Sequence, residues 1–508
     1  MKKIKINGKE YFVEKETTVY EFLKNIGIYV PTLCYHPYLR PVGSCRICII
    51  KDRGRYKNSC ATLIEDGMDI ETHTPDLIEA RRWILQFLFG ERNHYCMYCA
   101  VTNDCEFQNL GYYVGLDHFH FPTFKNIFEL DNSHEFILFD NNRCVLCSRC
   151  IRVCSEVGGH FVLSEINKGI NSLIVADGGI PLGKSSCVSC GLCVQVCPTG
   201  TFIDKYSMYL GRSWETEKIN SFCFSCPVAC GIEIRVRNGN IVKVLSNWES
   251  FTKGLICYKG RYSSVIKHRN VLQNRKHFRN VNIIQDSYLI ESIRTKSSVA
   301  LIDGTLFNEE IQKITEIFGT ENTYCLYKMN PKINNNKITF DELDKYDAYI
   351  IYGWNLDKDY GTIGSVIKRN YRLKNKKMFR IEEVKDFIKN SIFIYPACFE
   401  YINNKRFWED EIVLPTNTND IGVLKYIGNK YLDEELVKEF DKIFIFTRNS
   451  DVLPLYEKDC YLFTYTDRQI EGFKEVFLLP SEYEIDGTFY NVFNQLISVK
   501  SITKEGVL

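Results

Sequence analysis

No run of about 18 apolar residues occurs in this chain of 508, so no segment is expected to cross a bilayer as a helix. The opening Met1-Lys2-Lys3-Ile4-Lys5-Ile6 lacks the apolar core of a secretory signal. Charge is nearly balanced at a net +1, which gives no field of the kind that gathers nucleic acid or an anionic membrane. A G-x-G-x-x-G phosphate loop is also missing, since Gly304 and Gly353 each follow an expected strand without companion glycines. A soluble, cytoplasmic chain is expected, with no nucleic-acid partner and no direct membrane insertion. Hydride chemistry is expected on another protein.

The last absence is local. Only Cys325, Cys398 and Cys460 fall in residues 270–508, whereas nineteen of the 22 cysteines lie between Cys34 and Cys257. A disulfide scaffold would be short and secreted, so the crowded half is expected to bind metal in a reducing compartment. Its densest part is residues 143–198. There Cys144, Cys147, Cys150, Cys154 and then Cys187, Cys190, Cys193, Cys197 both follow C-x2-C-x2-C-x3-C. That spacing wraps a [4Fe–4S] cube with three thiolates and sends the fourth to the neighbouring cube. The expected sets are Cys144, Cys147, Cys150, Cys197 and Cys187, Cys190, Cys193, Cys154. Paired C-x2-C units also suit zinc, but zinc does not ask for the third and fourth cysteines in two successive copies.

Upstream, Ile4, Ile6 and Tyr11, Val13 around Asn7-Gly8-Lys9 read as two strands and a turn. Thr17 or Thr18 can cap a helix running to Ile26, with Glu21 as capping-box partner. This is a β-grasp ferredoxin pattern, and Cys34, Cys45, Cys48 and Cys60 suit a [2Fe–2S] rhomb, with zinc as the alternative. Residues 76–89 have helical periodicity, which Gly90 is expected to end. Then come Cys96, Cys99 and Cys105, one ligand short of a cube. The complete sets use sixteen cysteines and this one adds three, so a non-cysteine ligand is needed. His94 is the preferred ligand, with Asp104, His118 and His120 as rivals and Arg92 and Asn103 poor ones. The aromatic stretch 111–140 (Tyr112, Tyr113, Phe119, Phe121, Phe124, Phe128, Phe136, Phe139) is expected to keep water off the clusters.

Downstream, Cys223, Cys226, Cys230 and Cys257 flank a hairpin expected at 232–236 and 241–245, which returns Cys257 to close a further cubane. Residues 270–508 alternate strands (299–302, 349–351, 378–381, 392–395, 443–446, 476–479) with helices such as 309–318 and 421–427. That order predicts α/β layers on a mostly parallel sheet.

The order of motifs is recognisable. Pro31-Thr32-Leu33-Cys34, Gly43-Ser44-Cys45-Arg46-Ile47-Cys48, Ser59-Cys60-Ala61-Thr62 and the double-cubane stretch resemble one iron–sulfur subunit. It is shared by respiratory complex I, NAD-reducing [NiFe] hydrogenases, multi-cluster [FeFe] hydrogenases and some NAD-linked formate dehydrogenases. Most of that family has histidine four residues before the first cysteine of the three; here Arg92 stands there and His94 two before. That form, with Arg143-Cys144-Val145-Leu146-Cys147, is similar to the diaphorase-side subunit of NAD-reducing hydrogenases. Cys223 to Cys257 with Tyr258-Lys259-Gly260 resembles the cluster domain of molybdopterin oxidoreductases, and 478–489 resembles a late segment of the complex I large subunit.

The resemblance implies α+β iron–sulfur modules followed by an α/β molybdopterin-oxidoreductase-like domain. The expected modules are a β-grasp ferredoxin (1–75), a cluster domain with one histidine and three cysteine ligands (76–135), a two-[4Fe–4S] ferredoxin (136–210), a molybdopterin-type cluster domain (217–265) and a contracted α/β domain (270–508). It also implies one [2Fe–2S] and four [4Fe–4S] clusters and no molybdopterin. Lys259 is at the family's cofactor-side position between cluster and pterin, here without a pterin to serve. The implied role is an electron relay, with catalytic sites on partner chains. Those partners are a flavin- and NAD(P)-binding diaphorase, a small thioredoxin-like [2Fe–2S] subunit and [NiFe] hydrogenase small and large subunits. Complex I and a pterin-bearing formate dehydrogenase stand as alternatives. Three scattered cysteines cannot build an [FeFe] active site.

Overall fold

Asn7 and Gly8 both take left-handed backbone (φ 48° and 84°), the geometry a two-residue hairpin turn requires. They join strand β1 (Lys2–Ile6) to β2 (Lys9–Val13). This computed structural model of the chain describes all residues except 119, 121–126, 264, 267–278, 327–332, 334–335, 353–355, 357–359, 385–387, 397–409, 415–418, 428–429, 432–435, 449–458, 465–472, 474, 480–485 and 500–508. Phe119, Phe121, Phe124, Gly353 and Cys398 lie outside the described residues. The chain divides into two units, Met1–Glu215 and Thr216–Leu508.

In the first unit, β1 pairs in parallel with β5 (Asp69–Glu71), and β3 (Ile49–Asp52) and β4 (Arg55–Asn58) complete a sheet of order β2-β1-β5-β3-β4. Helix α1 (Val19–Asn25) is capped by Thr18, whose hydroxyl accepts from the Glu21 N–H. Thr17 instead donates to the Glu21 carboxylate. Val19 and Leu23 of α1 join Ile4, Ile6, Ile50 and Ile70 in the core; burying Leu23 contributes roughly 2 kcal/mol.

Helix α2 (Pro75–Glu91) starts with Pro75 at a first-turn position where a missing N–H costs nothing. Its buried Arg81 donates to the carbonyls of Ile49 and Thr72 and so ties the helix to the sheet. Gly90 does not end this helix as expected. It is buried inside the last turn, and extended backbone begins two residues later at Arg92, since a glycine can stay helical at modest cost.

Helix α3 (Glu106–Tyr113) follows Cys105. Strands β6 (Ile137–Phe139) and β9 (Phe202–Asp204) pair antiparallel and bracket the two cysteine runs, with Phe139 stacked on Phe202 at 4.4 Å. Between them lie α4 (Arg149–Arg152), the hairpin β7 (Leu163–Ile166) and β8 (Leu173–Ala176), and α5 (Leu192–Val196). Phe136 and Phe139 are buried, whereas Tyr112 and Tyr113 are exposed and so do not shield the interior as the aromatic stretch suggested.

The second unit begins with an antiparallel sheet of β10 (Glu217–Phe222), β11 (Gly231–Arg237) and β12 (Asn240–Ser246). The single parallel sheet expected beyond it proves to be two. A six-stranded sheet has the order β13 (Arg279–Asn280), β22 (Glu475–Leu478), β21 (Asp459–Thr464), β20 (Lys442–Thr447), β14 (Ser298–Ile302), β15 (Thr323–Cys325). A four-stranded sheet has the order β17 (Lys377–Arg380), β16 (Ala348–Ile351), β18 (Ser391–Pro396), β19 (Asp410–Leu414). All pairings in both are parallel. Among the described residues, four strands in the middle of the sequence pair only with one another, which strand periodicity alone does not reveal. Strand β14 is buried at every position, as a parallel sheet covered on both faces demands.

Candidate metal centres

Every described cysteine is a free thiol. Among the described residues no three His, Cys, Asp or Glu side chains are placed to hold a single metal ion. The thiols gather instead in wider sets. Cys34, Cys45, Cys48 and Cys60 are all buried and linked to one another. The Cys34 N–H donates to Cys45 Sγ at 3.4 Å. A hydrogen bond from Cys60 brings Cys48 down to about 7, while contacts with Cys34 push Cys45 and Cys60 up. Left-handed backbone at Gly43 and Arg46 shapes the loop that carries Cys45 and Cys48.

His94 lines one cavity with Cys96, Cys99 and Cys105. Its ring packs against the stacked pair Phe89 and Phe107, with centroids 5.5 and 4.9 Å away. Burial, reinforced by Arg143 and Arg92, holds the imidazole neutral by lowering it to about 3. The ring also bonds to the Leu88 carbonyl, while Nε2 is buried with no hydrogen-bond partner. A histidine anchored through one nitrogen and bare at the other is the form a metal ligand takes. The rivals have contacts of their own, although His118 also lines a neighbouring cavity with His94 and Cys96. The Asp104 carboxylate accepts from the Ser213 N–H, and His118 is exposed and paired with Asp117. The ring of His120 lies 6.2 Å from that of Trp83. Arg92 donates to the carbonyls of Ile170 and Ser172.

The two cysteine runs repeat in backbone as well as in sequence. Leu146 and Ser148 in the first run, and Ser189 and Gly191 in the second, take left-handed φ of 50°, 56°, 59° and 67°. The curl turns the N–H of Leu146 onto Cys144 Sγ and that of Ser189 onto Cys187 Sγ, each at 3.4 Å. Three of these four residues carry side chains that disfavour the conformation, at roughly 1–2 kcal/mol each. Cys197 lies within electrostatic reach of Cys144, Cys147 and Cys150 and raises all three after burial does. Cys154 acts likewise on Cys187 and Cys193. Cys154 and Cys197 thus each lie within reach of the other run's thiols, and Cys197 also acts on Cys193.

Two arginines inside the first run join it to its neighbours, and nothing in the cysteine spacing announces them. Arg149 makes a two-pronged pair with Glu106 at 2.7 and 2.9 Å, next to Cys105. Arg152 Nη2 donates to the carbonyls of Cys34 at 2.5 Å and Cys147 at 3.2 Å. On the other side, Cys105 Sγ donates to the Pro198 carbonyl at 3.4 Å. A Cβ on Gly200 would stand 2.6 Å from Cys99 Sγ. The set around Cys147 therefore adjoins three others: the Cys34 set, the His94 set and the Cys187 set.

In the second unit, Cys223, Cys226 and Cys257 all act on buried Cys230, so the hairpin does return Cys257 to the others. Lys259 lies close enough to Cys226 to favour its thiolate. The N–H of Ser225 donates to Cys223 Sγ at 3.4 Å, and the Thr362 hydroxyl lies 3.0 Å from Cys230 Sγ.

Comparison with known proteins follows this division. Residues 2–75 match the family described as a 2Fe-2S iron-sulfur cluster binding domain. Residues 81–120 match the NADH-ubiquinone oxidoreductase-G iron-sulfur binding region, 136–198 a 4Fe-4S dicluster domain, and 216–266 the molybdopterin oxidoreductase Fe4S4 domain. The chain is 32% identical over 267 residues to a subunit of the NADH-quinone oxidoreductase of Rhizobium meliloti, covering 52% of this chain and 31% of that protein. It is 24% identical over 453 residues to a putative formate dehydrogenase of Staphylococcus aureus, covering 74% of this chain and 45% of that protein. The chain thus spans less than half the length of these curated relatives. A crystal structure of an NAD+-reducing [NiFe]-hydrogenase in the H2-reduced state aligns at 31% identity and TM-score 0.40, over 41% of this chain and 90% of that one.

Proposed function

We propose that this chain is a multi-cluster electron-transfer subunit of an NAD(P)-linked oxidoreductase complex, with catalysis on partner chains. The observation that carries it is the convergence of three cysteine-bearing sites on the Cys147 set. Held as proposed, the ligands are Cys34, Cys45, Cys48 and Cys60 for a [2Fe–2S] cluster. For four [4Fe–4S] clusters they are His94 with Cys96, Cys99 and Cys105; Cys144, Cys147, Cys150 and Cys197; Cys154, Cys187, Cys190 and Cys193; and Cys223, Cys226, Cys230 and Cys257. Such clusters, when bound, supply one-electron chemistry whose potential the protein sets. The chain's residues fix the ligand loops, exclude water and place N–H donors on sulfur. Arg149 and Arg152 hold neighbouring ligand loops together, so each site keeps its distance from the next.

The preferred partners are a flavin- and NAD(P)-binding diaphorase, a small thioredoxin-like [2Fe–2S] subunit and [NiFe] hydrogenase subunits, in a soluble complex. The Asn93-His94-Tyr95-Cys96 form supports that choice. A second reading, an NAD-linked formate dehydrogenase subunit with molybdenum or tungsten pterin, draws on the formate dehydrogenase alignment, which extends beyond the cysteine-rich half. A complex I-type subunit is the third.

Native purification with mass identification of companion chains, plus iron, nickel, molybdenum and tungsten analysis, separates them. Nickel with more than about 18 iron atoms per copy of this chain, its own five clusters supplying about 18 and the partners the rest, is the expected result. Stoichiometric molybdenum or tungsten overturns the hydrogenase reading, and a colourless, iron-free protein overturns electron transfer altogether.

A further inference from the structure

The α/β layers of the second unit reach back to the cysteine set near its start. Helix Gly361–Leu373 begins against it. A Cβ on Gly361 would stand 2.6 Å from Cys257 Cβ and 3.7 Å from its Sγ, so any larger residue would drive the helix start away from the thiols. Next in sequence, Thr362 is 2% exposed, and its hydroxyl lies 3.0 Å from Cys230 Sγ across 132 residues. The buried first two turns, Gly361 to Ile367, fix the position of that hydroxyl, and Asn370 of the same helix is held by Asp344 and Tyr349. A hydroxyl on a ligating sulfur, with the positive end of a helix behind it, favours whichever redox state carries more negative charge. For an iron–sulfur cluster that is the reduced state.

We propose that Thr362 is a positioning residue for the cluster held by Cys223, Cys226, Cys230 and Cys257. Through it, the α/β domain raises that cluster's reduction potential. The domain is then a determinant of the cluster's redox level, and anything that shifts helix Gly361–Leu373 alters that level. The inference rests on reading those four cysteines as cubane ligands.

The test uses the full chain with its companion subunits and EPR-monitored redox titration of Thr362→Val, Thr362→Ser and Thr362→Ala. The expected result is unchanged iron in the valine variant, a lowered midpoint for this cluster alone, and a serine variant at the wild-type midpoint. A valine variant with full iron and the wild-type midpoint overturns the role of Thr362. If valine does not load, serine and alanine decide: serine above alanine supports the proposal, and equal midpoints overturn it. Cys226→Ser separates the underlying reading. Loss of about four irons leaves the cubane standing, whereas full iron and an unchanged spectrum overturn the cubane and the role of Thr362 together.

Discussion

Arg149 and Arg152 stand one turn apart on α4 and hold different neighbours, Arg149 the carboxylate of Glu106 and Arg152 the carbonyl of Cys34. Both are nearly fully buried, at 4% and 7% exposure. A single turn of helix therefore fastens three ligand loops at once.

The Arg152→Met variant is expected to lose about 3 kcal/mol, since the buried carbonyls of Cys34 and Cys147 and the part-buried one of Arg40 lose a charged donor. The measured signs are a lower unfolding midpoint and altered magnetic interaction between the [2Fe–2S] and cubane EPR signals. Unaltered spin coupling at wild-type stability would falsify the bridging role.

Two substitutions at His94 are expected to diverge. His94→Ala is expected to lower total iron by about four atoms. His94→Cys is expected to keep the iron and lower that cluster's midpoint, because a thiolate adds a negative charge that imidazole lacks. Iron analysis with EPR titration checks both, and a fully loaded alanine variant with an unchanged spectrum would point to another ligand.

At Gly200 the geometry leaves no space. A methyl group there would meet Cys99 Sγ at 2.6 Å and Val101 at 3.1 Å, and the neighbour at risk is a proposed ligand. Gly200→Ala is expected to deplete the His94 cluster while sparing the [2Fe–2S] signal, readable by EPR of the reduced protein. Full loading by both would show that the loop yields.

Asp303 gives the pH dependence. It is buried, accepts a hydrogen bond from Thr447 at 2.6 Å, and burial raises its carboxyl above the usual value despite that bond. As pH rises, the unfolded chain loses this proton first. Stability therefore falls from the ordinary carboxylate range up to the raised value and is level beyond it. Asp303→Asn removes the titration, so its unfolding midpoint is expected to improve relative to wild type as pH climbs through that window. A difference constant with pH would show that the carboxyl does not titrate there.

Much of this was legible in the sequence because cysteine spacing is a strict constraint. The β1–β2 and β11–β12 hairpins, a cap at Thr17 or Thr18 and the expected grouping of cysteines all follow from local rules. His94 could be singled out by counting ligands, and the structure adds the bare Nε2 in the same cavity as three thiols. What local pattern could not yield depends on contacts distant in sequence. Arg152 meets Cys34 across 118 residues, and Thr362 meets Cys230 across 132. The separation of β16 to β19 into their own sheet is of the same kind, since strand periodicity says nothing about which strand is a neighbour. Gly90 marked the end of its helix only to within a residue, since the helix runs on to Glu91.

The proposed crossing of Cys154 and Cys197 between the two runs bears on how the protein is made. No growing chain shorter than 197 residues contains the ligand set grouped around Cys147, although three of its four thiols emerge early. The set around Cys187 is complete four residues sooner, at Cys193. Both proposed sets are thus completed within four residues of each other in the growing chain. A truncation between residues 193 and 197 is expected to carry one complete cubane site and one open one.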